Sequence, residues 1–360
     1  MMRSFLTLAL STALAFLFLV STSKSAEAQI LQEPPPVMPK PTPKPPPPPK
    51  DEDYEVVRVT SNLIVVPVSV TDATGQPVLG LKIPDFRLEE EGRAQEITQM
   101  GDPEQTPLDI AILLDVSASQ KSFFTFEQQA ATAFLKQVLK PTDRATVFAI
   151  DEKPRFIQEL TSAERASEKL MSILPASGYT AFYDTVISAA NYLEKSSSSG
   201  RRKVIIAISD GDDTARIIDM SNAQTRGSDD LKLIGKDAQL RLIDRSVSEV
   251  QREIQRDEIT FYSLNPSGQT MFLNVRTARA EQGMEKMTEA TGGASFTLSK
   301  LAELNAIFNR IAAELRSQYL LQYYSNNETS GGNYRSIKVA VPTQPQLRVR
   351  ARQGYYPKGK

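Results

Sequence analysis

Asp115-Val-Ser117-Ala-Ser119 sets one carboxylate and two hydroxyls at alternate positions. All three are oxygen donors, and oxygen is what a hard divalent cation selects. The trio follows an unbroken apolar run, residues 110–114. That run reads as a buried central strand, too short for an isolated helix and flanked by polar residues. A second apolar run, Ile205-Ile206-Ala207-Ile208, ends in Ser209-Asp210-Gly211, and Gly178-Tyr179-Thr180 stands where a helix should open near Ala181. Asp115 and Asp210 would both emerge past the carboxyl ends of parallel strands, the edge at which open α/β sheets bind ligands.

Composition narrows the chemistry. The chain of 360 residues contains no His and no Cys. Histidine-based general base catalysis, Ser-His-Asp triads, zinc sites and disulfides are therefore excluded. Any metal must be held by oxygen. Lys+Arg 42 against Asp+Glu 43 leaves a net charge of -1, and no basic tract lies beyond the lysines of a Pro-rich segment, so nucleic acid is not an expected partner.

The elements that must position these oxygens can be laid along the chain. Strands are expected at 109–116, 145–151, 155–160, 203–210, 259–265 and 295–298. Helices are expected near 123–140, 162–173, 181–195, 237–256, 277–290 and 301–317. The connection at Lys153-Pro154 is tight, so the third strand should run antiparallel to the second, while helix-joined strands should be parallel. Before this α/β unit, Ile64, Val66, Val68 and Val70 alternate with period two, and Pro67 among them suggests an edge strand or a bulge. After it, Ile337, Val339 and Val341 alternate, as do Leu347, Val349 and Ala351. Each flank alone has too little core for comfort, which favours one β-sandwich built jointly by both and interrupted by the α/β unit. Two separate small β units are the alternative.

The N-terminus reads as targeting. Arg3 precedes an apolar stretch, 5–20, that is short for a membrane span, and Ala26-Glu27-Ala28 fits a small-x-small cleavage site. Residues 1–28 are thus expected to be a signal peptide cleaved after Ala28, giving an exported chain, periplasmic or secreted. An uncleaved signal anchor is the competing reading, and membrane contact is expected only in that case. Residues 29–52 are a Pro-rich linker, extended as polyproline II.

With Asp115, Ser117, Ser119, Thr180 and Asp210 in view, the segment from about 107 to 316 resembles a von Willebrand factor type A domain. The flanks resemble the bacterial exported VWFA-related proteins through Val70-Thr-Asp72, Asp85-Phe86, Thr291-Gly-Gly293, Leu315-Arg-Ser-Gln-Tyr319 and Arg350-Ala-Arg-Gln-Gly354. The resemblance implies a mostly parallel six-stranded Rossmann-like sheet with helices on both faces, inserted in or flanked by the sandwich. It divides the chain into 53–104 (N-terminal β segment), 105–318 (type A domain) and 319–356 (C-terminal β segment). It further implies a metal-ion-dependent adhesion site in which Asp115, Ser117, Ser119, Thr180 and Asp210 hold a divalent cation. Mg²⁺ is the first candidate and Mn²⁺ or Ca²⁺ the alternatives. The serines and either Thr180 or Asp210 would bind directly and the rest through water. A protein partner would add an Asp or Glu carboxylate. Residues 214–237 depart from the family as a long polar link beside the site.

Several of these residues admit other readings. Thr180 could serve as a helix N-cap. Asp184 reads as a first-turn helix acid, and Asp212 and Asp213 as solvated loop acids or groups one layer behind the ligands. Phe123, Phe124 and Phe126 are either core or an apolar rim for a partner. At the level of function, a non-enzymatic binding module competes with a scaffold whose sandwich does the binding. A metal-dependent hydrolase is disfavoured, because Ser117 stands where an aspartyl-phosphate loop would need its second Asp.

Overall fold

The computed structural model describes residues 63–117, 124–225, 235–268, 275–300, 302–327 and 332–357. All of these lie in one compact unit, Val59–Lys360. The expected signal segment, the Pro-rich linker, Ser119 and Phe123 lie outside the described residues. Among the described residues, no helix is long and apolar enough to cross a membrane.

Strand β5 (Leu108–Asp115) is buried at every position, as its unbroken apolar sequence requires. It is central to a six-stranded sheet with β6 (Arg144–Ile150), β7 (Pro154–Thr161), β8 (Arg202–Ile208), β9 (Ile259–Asn265) and β10 (Ser295–Thr297), in the order β10-β9-β8-β5-β6-β7. Four pairings are parallel, and β7 alone is antiparallel, to β6. The short turn before Pro154 enforces that reversal, because a parallel return needs a long crossover.

Successive side chains of β5 point to opposite faces. Ile110, Ile112 and Leu114 pack with α1 (Phe124–Val138), α2 (Ala163–Met171) and α7 (Glu303–Ser317). Ala111 and Leu113 pack with α3 (Phe182–Ser196), α5 (Lys236–Arg256) and α6 (Val275–Thr291). The chain leaves β5 toward β6 on one side and later returns to β8 on the other, so the strand order reverses between β5 and β8. The carboxyl ends of those two strands frame the crevice where such folds place ligands.

One expectation needs correction. Part of the presumed polar link at 214–237 is a helix, α4 (Thr214–Thr225). Its composition hides it, since Ile217 and Ser221 supply buried positions on an otherwise polar element. It starts where it does because Asp213 Oδ1 accepts from the Arg216 amide, 3.0 Å, in the manner of a helix cap.

Two further four-stranded sheets draw on strands from both sides of the α/β unit. One is ordered β13-β1-β11-β4, from β13 (Arg348–Ala351), β1 (Leu63–Thr71), β11 (Tyr319–Tyr324) and β4 (Ile97–Gly101). The other is ordered β14-β12-β2-β3, from β14 (Gly354–Tyr355), β12 (Arg335–Ala340), β2 (Arg87–Glu90) and β3 (Arg93–Gln95). Val66, Val68, Leu88, Leu321, Tyr323 and Ile337 share one apolar cluster across them. Strand β1 is internal, yet Pro67 is tolerated: it pairs with Leu320 of β11, while β13 joins only from Val68 onward. On that side Pro67 has no ladder bond to lose.

The sandwich and the α/β unit meet at Glu314 of α7. Its Oε1 accepts from Ser69 Oγ and from Tyr262 OH, both at 2.8 Å, and its Oε2 pairs with Arg350. Nearby, Arg350 Nη1 donates to the Gly293 carbonyl at 3.1 Å. A Cβ on Gly293 would sit 1.9 Å from the Phe261 carbonyl oxygen, so only glycine fits.

Candidate metal centre

Asp115 closes β5 and is fully buried. Its Oδ1 accepts from the Ser117 amide at 2.9 Å, a local turn that an Asp favours, and its Oδ2 accepts from Ser209 Oγ at 2.6 Å. The second contact follows from register. Leu114 of β5 faces Ile208 of β8, so the next residues, Asp115 and Ser209, meet at the edge. Ser209 Oγ also accepts from the Gly211 amide at 3.0 Å. Gly211 has φ 77°, and a Cβ there would meet Met284 Sδ at 2.7 Å, so the loop carrying Asp210 turns at a residue where glycine is favoured.

Thr180 reaches the same edge by backbone ties. The Ala181 amide donates to the Asp151 carbonyl, 2.8 Å, just past β6. The Thr180 amide donates to Thr214 Oγ1, 2.9 Å, and its carbonyl accepts from the Ala215 amide, 3.2 Å, at the start of α4. The residue at the N-cap of α3 is Ala181, without a side-chain cap bond. Thr180 is therefore not the cap that its position before the helix suggested. Thr180 and Ser117 are both buried, and Asp210 is half-buried, with its Oδ1 accepting from the Asp212 amide at 3.1 Å. Four of the five expected ligands are thus placed on one strand edge, and Ser119 lies outside the described residues.

Among the described residues, neither Asp115 nor Asp210 forms a salt bridge. Burial pushes the Asp115 carboxyl up to about 6, partly opposed by the Ser209 hydroxyl and reinforced by the Asp210 charge. Burial also raises Asp210, against the Asp212 amide and the field of Arg276. Arg276 itself is spoken for by Asp212, at 2.7 Å. A carboxyl that holds its proton above the usual range marks a place where a cation would be welcomed.

Three residues do more here than the sequence reading gave them. Ser209 is one, since its role depends on the β5–β8 register. Asp213, read as a solvated loop acid or a group behind the ligands, is another: it is buried, and its Oδ2 accepts from the Tyr183 amide, 2.9 Å, while Oδ1 holds the start of α4. It fastens α3 to α4, and burial pushes it up to about 6. The third is Glu127 of α1, fully buried, with neither carboxylate oxygen hydrogen-bonded. Burial first, then the charges of Asp115 and Asp210, push it up to about 8. A signal for Glu127 was present, because it sits on the apolar stripe that runs through Phe124, Ala131, Phe134 and Val138. Of the aromatic residues near the first loop, Phe124 is core, and Phe126 packs against the same cluster. Asp184 does stand in the first turn of its helix, and it also pairs with Arg216 at 2.5 Å.

The donor set fits a hard divalent cation: carboxylates and hydroxyls only, mostly buried, with a surplus of negative charge. Residues 110–212 match the family model of the von Willebrand factor type A domain. The chain carries a von Willebrand factor type A domain. The match runs from within β5 to the loop after β8 and so contains all five candidate positions. No curated protein matches the chain. Solved structures show similarity at low identity. The von Willebrand factor type A protein from Catenulispora acidiphila has 13% identity and TM-score 0.43, over 72% of this chain and 51% of that one. The vWF domain of the type V pili tip protein Mfa5 from Porphyromonas gingivalis has 14% identity and TM-score 0.42, over 57% and 94%. Proximal thread matrix protein 1 of the mussel byssus, solved with a zinc-occupied MIDAS motif, has 15% identity and TM-score 0.42, over 63% and 49%. The chain thus spans about half the length of the mussel structure it matches.

Proposed function

We propose that this chain is an exported, non-enzymatic module that grips a protein partner through a divalent cation. Asp115, Ser117, Ser119, Thr180 and Asp210 would hold the ion, Mg²⁺ in the first instance, and an Asp or Glu of the partner would complete its shell. The observation that carries the reading is the meeting of the buried Asp115 and the Asp210 loop at adjacent strand ends. Two carboxylates balance a divalent ion, and hydroxyls fill its shell without adding charge. The absence of His and Cys from the chain leaves the site no imidazole or thiolate for acid–base or nucleophilic work. In this reading residues 105–318 are the binding domain and 53–104 with 319–356 the sandwich that carries it. Residues 1–28 export the chain, and 29–52 are a Pro-rich spacer ahead of the sandwich.

The test is capture of partners from envelope and culture supernatant by the purified protein in Mg²⁺ or Mn²⁺. Loss of capture on adding EDTA and in Asp115→Ala, with the fold retained, is the expected result. Partner capture that survives both would sink the metal-bridged mechanism.

A further inference from the structure

At the amino ends of β8 and β9, opposite the edge that carries Asp115, a cavity of about 450 Å³ lies between the α/β unit and the sandwich. Its size is that of a small-molecule site, and the seam between two substructures is a common place for one. Much of its wall is apolar. Leu63, Val65 and Pro67 of β1 and Leu320 of β11 line it from the sandwich, and Ile254 of α5 and Ile259 of β9 from the other side.

The rest of the wall carries unmatched positive charge. Arg202 opens β8, is buried, and donates only to neutral oxygens: the Leu315 carbonyl at 2.9 Å, Gln318 Oε1 at 3.0 Å and the Pro103 carbonyl at 3.1 Å. Its Nε has no hydrogen-bond partner, and no carboxylate among the described residues pairs with it. Burial pushes this guanidinium down to about 10. Arg352 is also buried. Its Nη1 donates to Glu258 at 3.0 Å and its guanidinium lies 5.3 Å from the centre of the Tyr355 ring, yet its Nε and Nη2 have no partner. Glu258 is itself exposed, so it offsets little of that charge. The neighbouring cations are committed elsewhere, Arg201 to Asp109, which Arg144 shares, and Lys203 to Glu194. A buried charge without a counter-charge is costly. Water can meet a donor but brings no charge.

We propose that this cavity binds a small amphipathic monocarboxylate, with its head at Arg202 and Arg352 and its apolar body along β1 and β11. The forked donors of a guanidinium match the two oxygens of a carboxylate. The site is separate from the cation site and needs no metal.

Calorimetric titration of octanoate and of octanol into the purified protein at pH 8 in EDTA tests this. EDTA removes any divalent ion that a carboxylate could meet at the opposite edge. Saturable octanoate uptake is expected, with binding weaker by about tenfold or more for octanol and for octanoate to Arg352→Gln. A diazirine-bearing octanoate should label peptides that contain β1 or β11. Absence of octanoate uptake by wild type, equal affinity for octanol, or labelling confined to other segments would overturn the proposal. These three outcomes are read on wild type, so they decide the matter even if Arg352→Gln does not fold.

Discussion

Strand β5 carries a buried aspartate near each end, and the two are treated in opposite ways. Asp109 near the start is fully buried, yet Arg144 grips it with contacts of 3.0 and 2.7 Å, and Arg201 adds one of 2.8 Å. Burial opposes its ionisation, but the two guanidinium groups outweigh it and hold the carboxyl below its ordinary range. Asp115 at the far end is equally buried and faces serine hydroxyls and an amide instead of guanidinium groups, so burial wins and the carboxyl rises to about 6. The same contrast separates Glu314, clasped by Ser69, Tyr262 and Arg350, from Glu127, clasped by nothing. The aspartate at one end of β5 is closed off as structure. The other is left without a cationic partner among the described residues, which makes it the candidate site.

The sharpest way to break this comparison is to make the same substitution at both ends. Asp109→Asn should cost about 2–4 kcal/mol, because it strands Arg144 and Arg201 against a neutral amide; partial exposure of Arg144 keeps it at the low side. Asp115→Asn should be neutral or stabilising in metal-free protein at pH 8. Urea unfolding of both variants in EDTA reads the difference, and equal losses would mean that the two ends are not different in kind.

Glu127→Gln should raise the midpoint of thermal unfolding in EDTA at pH 8 by a few degrees, given about 2–4 °C per kcal/mol for domains of about 150–250 residues and less for longer chains. The reason is linkage. A carboxyl whose folded value is raised, from 4.5 to about 8, favours the fold below its unfolded value and loses that contribution as pH rises toward 8. Asp115, raised to about 6, acts in the same direction over a narrower window.

Asp109 has the opposite slope. Its contribution is present above about 3.8 and is lost as pH falls through its lowered folded value. Metal-free protein should therefore be most stable in mild acid and weaken toward pH 8. Added Mg²⁺ should raise the unfolding midpoint more at pH 8 than at pH 5. Unfolding midpoints across that range, with and without Mg²⁺, check both slopes.

The smallest expected effect belongs to Gly211→Ala, at about 1–2 kcal/mol from left-handed strain and the clash with Met284. It should also weaken cation binding, because the turn that presents Asp210 would shift. Chemical unfolding together with a Mg²⁺ titration separates the two consequences.

Much of this was legible before any coordinates. The runs at 110–114 and 205–208 announce buried parallel strands because both faces must be apolar. Oxygen donors that follow such strands then fall on one edge by topology alone. Pro67 suggested an edge strand or a bulge, whereas β1 is internal and Pro67 falls where only β11 pairs with it. What stayed hidden depends on register and on long-range pairing. Ser209 matters only because β8 lies beside β5 in one alignment, and Asp213 only because α3 and α4 begin side by side. Helix α4 was obscured by polar composition, since its start is set by the Asp213 cap rather than by an apolar stripe. Glu127 could have been found by asking why an acid interrupts the apolar face of α1.

The most direct test of the contrast between the two ends is Mn²⁺ uptake followed by electron paramagnetic resonance, comparing wild type, Asp115→Asn and Asp109→Asn at pH 8. The account predicts saturable uptake by wild type, loss of that uptake in Asp115→Asn, and unchanged uptake in whatever fraction of Asp109→Asn remains folded. Equal uptake by wild type and Asp115→Asn, or none by wild type, would contradict it.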